Sequence, residues 1–431
     1  MSDRTERSPG SLPGVTNLWH GFADMGAVDG REFVVERGEG CYVWDEAGRR
    51  YLDGTASLWY ANVGYGRTEI ARAAAVQLEK LHAYHVFGDF ATRPVLDLAD
   101  RLAALAPVAG SKVFLTSGGS DSVDTAAKLA RRYFHEIGQP ERTVILTRTW
   151  AYHGMHAYGT ALAGIAANRD ALGELISDVE VVQWDSADAL EETIGRIGAG
   201  RIAAFFCEPV VGAGGVRFAP DGYLTRAREI AREAGALFVS DEVITGFGRA
   251  GEWFASQRFG LDPDLLTFAK GVTSGYLPLG GVLAAPHVAE PFWRQGTGIW
   301  WRHGYTYSGH TTACAAALAN LGIIEREGLD TRARSLEGPL AAALTPLTGH
   351  PLVAEVRTGV GLLAAVQLDQ TRIEADPSLP GRAAAACRAA GVITRALAGG
   401  GLQISPPLVI TEDQLDELAT GLRAGLDAVA K

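Results

Sequence analysis

The chain has 431 residues, of which 47% are hydrophobic and 21% charged, and its formal charge is −11. No Lys/Arg-rich run stands out, which excludes the electrostatic footprint needed for nucleic acid or an anionic membrane surface; the expected partners are small molecules and other copies of the chain. The length exceeds what one hydrophobic core usually fills, so two domains are expected.

The first residues, MSDRTERSPGSLPG, are polar and turn-rich and lack the apolar centre of a signal peptide. No later stretch approaches the roughly 20 apolar residues that span a bilayer, so a cytoplasmic protein is expected. Next come strand-like pieces within EFVVERGEGCYVWDEAGRRYLDG (32–54). From about 110 to 285, short apolar runs alternate with amphipathic stretches: KVFLT (112–116), TVILT (143–147), VEVVQW (179–184), IAAFFCEPV (202–210), ALFVSDEV (236–243), LLTFAK (265–270) and GGVLAA (280–285). Such alternation predicts an α/β fold, a mainly parallel seven-stranded sheet covered by helices on both faces. VDTAAKLARRYFHEI (123–137) and GYLTRAREIAREAG (222–235) carry apolar residues at helical spacing. The tail from about 330 offers LVAEVR, GVGLLAAVQL and LQISPPLVI between Ala-rich helical stretches. The two ends are expected to form one smaller α+β domain, with residues 1–65 and 326–431 flanking a large ligand-binding domain of 66–325.

In open parallel sheets ligands gather beyond the carboxyl ends of the strands, so polar residues at those ends matter most. Only five of the 39 basic residues are lysines (Lys80, Lys112, Lys128, Lys270 and Lys431), and Lys270 alone ends a buried apolar run. Burial disfavours an ammonium and frees a nucleophilic amine for Schiff-base chemistry. A solitary strand-end lysine is more often ion-paired or snorkelling, but Lys270 has candidate partners. Asp241, at the end of the preceding run, is a carboxylate that could hold a pyridine nitrogen protonated. In LTSGGSDSVDTAAKLARRY a glycine pair leads into a helix, where Gly119 permits close backbone approach and Ser120 adds a donor at an anion-binding helix start; a plain Ser N-cap is the competing reading. Tyr152 supplies an aromatic that could stack on a planar ring. His153 and His156 have HxxH spacing but no third ligand, so no metal is expected. Cys41, Cys207, Cys314 and Cys387 are scattered, as buried, inert thiols would be. A P-loop Gly-Lys, HExxH, GxSxG and a strand-linked GxGxxG are all absent, which counts against nucleotide binding, metalloproteolysis, serine hydrolysis and NAD-dependent oxidoreduction.

Taken in order, TSGGSDSVDTAAKLAR, YHG, EPVVGAGGV, DEVITGFGR, FAKGVTSGYLPLGGV and YTYSGHTTAC make the chain resemble the class III (ω-) aminotransferases of pyridoxal 5'-phosphate (PLP) fold type I. LWYANVGYGR (58–67) brings it nearest to the pyruvate-dependent amine transaminases. The resemblance implies that Lys270 carries PLP as a Schiff base and that Asp241 binds the pyridine nitrogen. It also implies that Tyr152 and Val243 sandwich the ring, and that Gly119, Ser120 and, from a second subunit, Thr306 hold the phosphate. Glu208 is expected to support the ring hydroxyl or Asp241 through hydrogen bonds. Trp59, Tyr60, Phe87 and Tyr152 are expected to line the amine pocket, and Arg395 to hold the substrate carboxylate through its planar fork. AGGG (398–401) follows Arg395 where relatives often have a more polar turn, which questions the mobility of that loop.

The implied reaction is ping-pong transfer of an amino group from a primary amine or ω-amino acid to a keto acid, pyruvate first among them. It would take place in a homodimer or tetramer with active sites at the subunit interface. The same frame serves aminomutases, epimerases and 2-oxoglutarate-dependent aminotransferases, and a catalytically inactive binding protein is the rival from another class.

Overall fold

A computed structural model describes residues 16–28 and 30–430. The polar start MSDRTERSPGSLPG, and Lys431 with it, lies outside the described residues. The seven apolar runs of the central region form seven strands: β1 (Lys112–Thr116), β2 (Val144–Arg148), β3 (Val179–Val182), β4 (Ile202–Cys207), β5 (Leu237–Asp241), β6 (Leu265–Phe268) and β7 (Gly280–Ala284). They make one sheet in the order β1-β7-β6-β5-β4-β2-β3, in which β7 alone runs antiparallel to its neighbours.

The sheet is buried on both faces because its strands carry apolar side chains at successive positions rather than at every second one. In β4, Phe206 packs with Val123, Ala126 and Ala130 of helix α1 (Gly119–Glu136). The adjacent Phe205 points to the other face, against Leu190 of α2 (Ala187–Ile197) and Ile230 of α3 (Tyr223–Glu233). This period-2 division explains why a continuous run such as IAAFFC is needed: each of its residues has a core to enter.

Two smaller sheets flank the large one. One has four strands, Val35–Glu39, Tyr42–Asp45 and Arg50–Asp53 followed by Val392–Ile393, with the last pairing parallel to the third, so the two ends of the chain share a sheet. The other is antiparallel, built from Val353–Val360, Leu363–Leu368 and Gly401–Ile404. LQISPPLVI is strand only as far as Ile404, because the Pro406-Pro407 pair that follows has no N–H to offer a ladder. All four cysteines are buried, and burial pushes the Cys207 thiol up to about 11 and those of Cys41, Cys314 and Cys387 to about 12. Among the described residues no helix is long and apolar enough to cross a membrane.

Phe238, on β5 and fully buried against Phe205, tests the packing that positions the strand ends. Phe238→Ala is expected to cost ~3–5 kcal/mol, read as a fall in the urea unfolding midpoint.

Candidate active site

Because six of the seven strands point the same way, their carboxyl ends meet along one edge, and the chain between strand and helix there closes a cavity of about 380 Å³. Pockets for small ligands are commonly roughly 300–1,000 Å³. Its wall includes Gly119, Ser120, Tyr152, Glu208, Asp241, Val243 and Lys270, together with Tyr60 and His153.

Lys270 stands two residues past β6 with φ of +45°, in the left-handed region that a residue with a Cβ seldom enters. Such strain costs on the order of 1–3 kcal/mol and persists where the surroundings over-determine it. Here Asn320 Nδ2, on helix Thr311–Arg326, donates to the carbonyls of Gly271 and Val272, both at 2.9 Å, and clamps the turn. Burial lowers the Lys270 ammonium from its ordinary value to about 8; the charges of Asp241 and Glu208 oppose this, and that of Arg395 adds to it.

Asp241, the last residue of β5, is almost completely buried. Its Oδ2 lies 2.6 Å from His153 Nδ1, while Oδ1 accepts the Thr267 hydroxyl at 2.9 Å and the Val243 N–H at 3.2 Å. Thr267 can reach it because β5 and β6 pair in register at these two residues. Burial alone would raise the carboxyl, but the His153 hydrogen bond and charge, aided by the Val243 and Thr267 donors, hold it below the usual carboxylate value. Three donors leave one of about four lone-pair sites of an ionised carboxylate for a donor inside the cavity. His153, weighed in the sequence only as a metal ligand, is thus the group that keeps Asp241 charged; its position straight after the ring-stacking candidate was the available signal. Among the described residues no cluster of His, Cys, Asp and Glu could hold a metal ion.

At the other end of the cavity lies the N-terminus of α1. Among the described residues no side chain caps it, and its first N–H groups and its dipole face the cavity. Ser120 Oγ accepts the Met155 N–H at 3.1 Å and keeps its own proton to donate. The Asp121 carboxylate is engaged sideways, by the Ser117 N–H at 3.0 Å and by His156 Nε2 at 2.7 Å. A Cβ on Gly119 would come within 3.0 Å of Val243 Cγ1, so the slot beside that valine exists only because residue 119 is glycine. A flat, acidic-tailed heteroaromatic aldehyde fits these features: anion donors at one end, a charged carboxylate at the other, a nucleophilic amine beside them, and Tyr152 and Val243 on the walls.

Of the two partners expected for Glu208, the structure does not bring Asp241 within hydrogen-bond reach. Glu208 Oε1 accepts the Tyr152 N–H at 3.1 Å and its Oε2 the Gly212 N–H at 2.9 Å, so it fixes the backbone that carries Tyr152. Burial pushes this carboxyl up, His153 works against that, and Asp241 adds to it. Trp59 and Arg395 stand next to the amine: Lys270 Nζ is 5.8 Å and Arg395 Cζ 4.8 Å from the centroid of the Trp59 ring. The Arg395 guanidinium has no ion pair or hydrogen bond with any described residue, and its buried Nε is unsatisfied. Its backbone is pinned, since the Arg395 carbonyl accepts the Gln403 N–H at 2.9 Å and the Leu397 N–H donates to the Gly401 carbonyl at 2.7 Å. Phe87 and Thr306 do not line the cavity of their own chain. Both are exposed, and Phe87 packs on Gly304.

The family described as aminotransferase class-III matches residues 25–426. At 39% identity over 420 residues, covering 92% of this chain and 91% of the relative, the chain is similar to a putrescine–pyruvate aminotransferase of Pseudomonas aeruginosa. Among solved structures it is similar to an (S)-enantioselective ω-transaminase of Thermomicrobium roseum, with a TM-score of 0.91 and 39% identity over 96% of both chains. An amine transaminase of an uncultivated Pseudomonas species, in its PLP-bound form, is similar with a TM-score of 0.90 and 38% identity over 96% of this chain and 99% of the other.

In cofactor-free protein, the depressed pKa means that the neutral Lys270 amine grows as pH rises through about 8, whereas an ordinary lysine needs about 10.4. Trinitrobenzenesulfonate is therefore expected to modify Lys270 first, at a rate that levels off above pH 8. Mass mapping of the labelled lysine checks this.

Proposed function

The chain belongs to the class-III aminotransferases, and we propose that it moves the amino group of a primary amine or ω-amino acid to pyruvate in a ping-pong reaction. The cofactor is PLP. The observation that carries this reading is the pair of cationic heads at one ring: the Lys270 amine and the unpaired Arg395 guanidinium both face Trp59. A nucleophilic amine and an arginine fork at one aromatic ring suit a site that takes a neutral amine in one half-reaction and a keto acid in the other.

Bound PLP supplies an electron sink for the carbanion formed when a proton leaves the amine-bearing carbon. The remaining work falls to this chain. The α1 N-terminus and Ser120 would hold the phosphate, Asp241 the pyridine nitrogen, and Tyr152 and Val243 the ring faces. Lys270 would hold the cofactor covalently until an amine displaces it, and its freed Nζ would then take the proton from the donor's amine-bearing carbon. The burial that lowers this ammonium in the cofactor-free protein favours the neutral amine a base requires. Trp59 and Tyr60 would pack on the organic part of the donor, and Arg395 would clamp the carboxylate of pyruvate.

Thr306 and Phe87 fit this scheme as contributions to the site of a second subunit. Their exposure supports it, as does that of Trp300 and Tyr307 near Thr306 in the chain, 67% and 66% exposed. A homodimer is therefore part of the proposal.

Incubation with an amine donor and pyruvate should yield alanine, with parallel lines in double-reciprocal plots; racemised or rearranged donor without alanine would point to a different reaction. Lys270→Ala is expected to lower kcat by at least about 10³-fold. Arg395→Ala should raise KM for pyruvate by roughly 10- to 100-fold, since a hydrogen bond to a charged group contributes about 1.5–3 kcal/mol, and leave KM for a carboxylate-free amine unchanged. His153→Phe removes the donor that holds Asp241 low. Protonated Asp241 would then persist to higher pH, so the acid limb of the kcat profile should move to higher pH while KM changes little.

A further inference from the structure

The catalytic cavity and a second cavity, of about 550 Å³, share one side chain, that of Tyr60. The ring of Tyr60 presses on Gly275, a wall residue of the catalytic cavity with φ of +80°; a Cβ on Gly275 would overlap the ring carbons. The Tyr60 hydroxyl accepts a hydrogen bond from Ser57 Oγ at 2.5 Å, and Ser57 belongs to the wall of the second cavity. The tyrosine therefore reaches from one cavity to the other.

The segment carrying it is held in an unusual shape. Ala56, Ser57 and Trp59 have φ of 46°, 57° and 62°. Asp53 fastens this segment: its Oδ1 accepts the N–H and the hydroxyl of Thr55 at 2.8 and 2.6 Å, and its Oδ2 accepts the Ser57 N–H at 2.7 Å and the Tyr65 hydroxyl at 2.6 Å. Four donors use up the acceptor capacity of the carboxylate, so it offers no site for a second ammonium. Much of the rest of the wall is apolar, with Phe33, Val43, Ala384 and Ile393, and Arg388 lies over the Phe33 ring at 4.6 Å.

We propose that Tyr60 is the partition that sets the length of the amine donor, and that the cavity behind it is a latent subsite for an apolar alkyl or aryl tail. The proposal rests on the transaminase reading. A short amine ends at the tyrosine ring, whereas a long one must displace the ring or turn back into the catalytic cavity.

The test compares kcat/KM for octylamine and propylamine, each with pyruvate, in the holoenzyme. Tyr60→Ala is expected to raise the octylamine-to-propylamine ratio at least tenfold over wild type. Tyr60→Phe keeps the ring and should keep the wild-type ratio. Adding Ala384→Trp places an indole in the second cavity and should return the ratio of the Tyr60→Ala enzyme toward the wild-type value. That step separates use of the second cavity from simple widening of the first. If Tyr60→Ala fails to fold, Tyr60→Leu, which retains apolar packing on Gly275, carries the same expectations. An unchanged ratio, or a rise that survives Ala384→Trp, would overturn the proposal. Failure of the wild-type enzyme to form alanine from either amine would instead overturn the transaminase reading, and the proposal with it.

Discussion

A carboxylate taken out of water at the end of a central strand must be given donors or lose its charge, and the arrangement of Asp241 answers that requirement. Thr267 reaches it across the β5–β6 register, Val243 offers the next backbone N–H, and His153 approaches from the segment after β2. The network ties three strand ends together and leaves one face of the carboxylate toward the cavity. It also acts on Lys270, since the Asp241 charge opposes the desolvation that lowers the lysine amine. A neutral residue at 241 would leave that amine with less reason to ionise and would take away the anchor for a protonated ring nitrogen.

Around this centre the cavity is graded. Its Asp241 end favours a cationic nitrogen and its α1 end an anion, while beside Lys270, outside the wall itself, the Arg395 guanidinium lies over the Trp59 ring. Burial lowers the Arg395 guanidinium from its ordinary value, and the Trp59 face, which attracts a cation, offsets part of that cost. Hydrogen bonds from the Gln403 N–H to the Arg395 carbonyl and from the Leu397 N–H to the Gly401 carbonyl tie the backbone around Arg395 into a hairpin.

Much of this was legible in the sequence. The seven strands follow from apolar runs of the right length, because a sheet buried on both faces leaves no alternation to confuse with a surface strand. Lys270, Asp241 and Ser120 were visible as polar residues placed where such runs end. What the sequence did not carry was direction. Glu208 sits at a strand end like the others, yet its oxygens turn to two backbone amides, and only the path of the chain through Gly212 determines that. His153 was weighed only against its HxxH spacing from His156, while its partner Asp241 lies 88 residues away along the chain. Phe87 entered only through the resemblance, and within its own chain it is exposed rather than in the cavity wall.

Lys270 is the amine expected to carry the cofactor. Reduction of the PLP-loaded protein with sodium borohydride, followed by peptide mass mapping, tests this directly. The prediction is a stable pyridoxyl adduct on the peptide containing Lys270 and on no other lysine. An adduct on Lys112 or Lys128 instead, or a PLP-loaded protein that yields no reduced adduct, would contradict it.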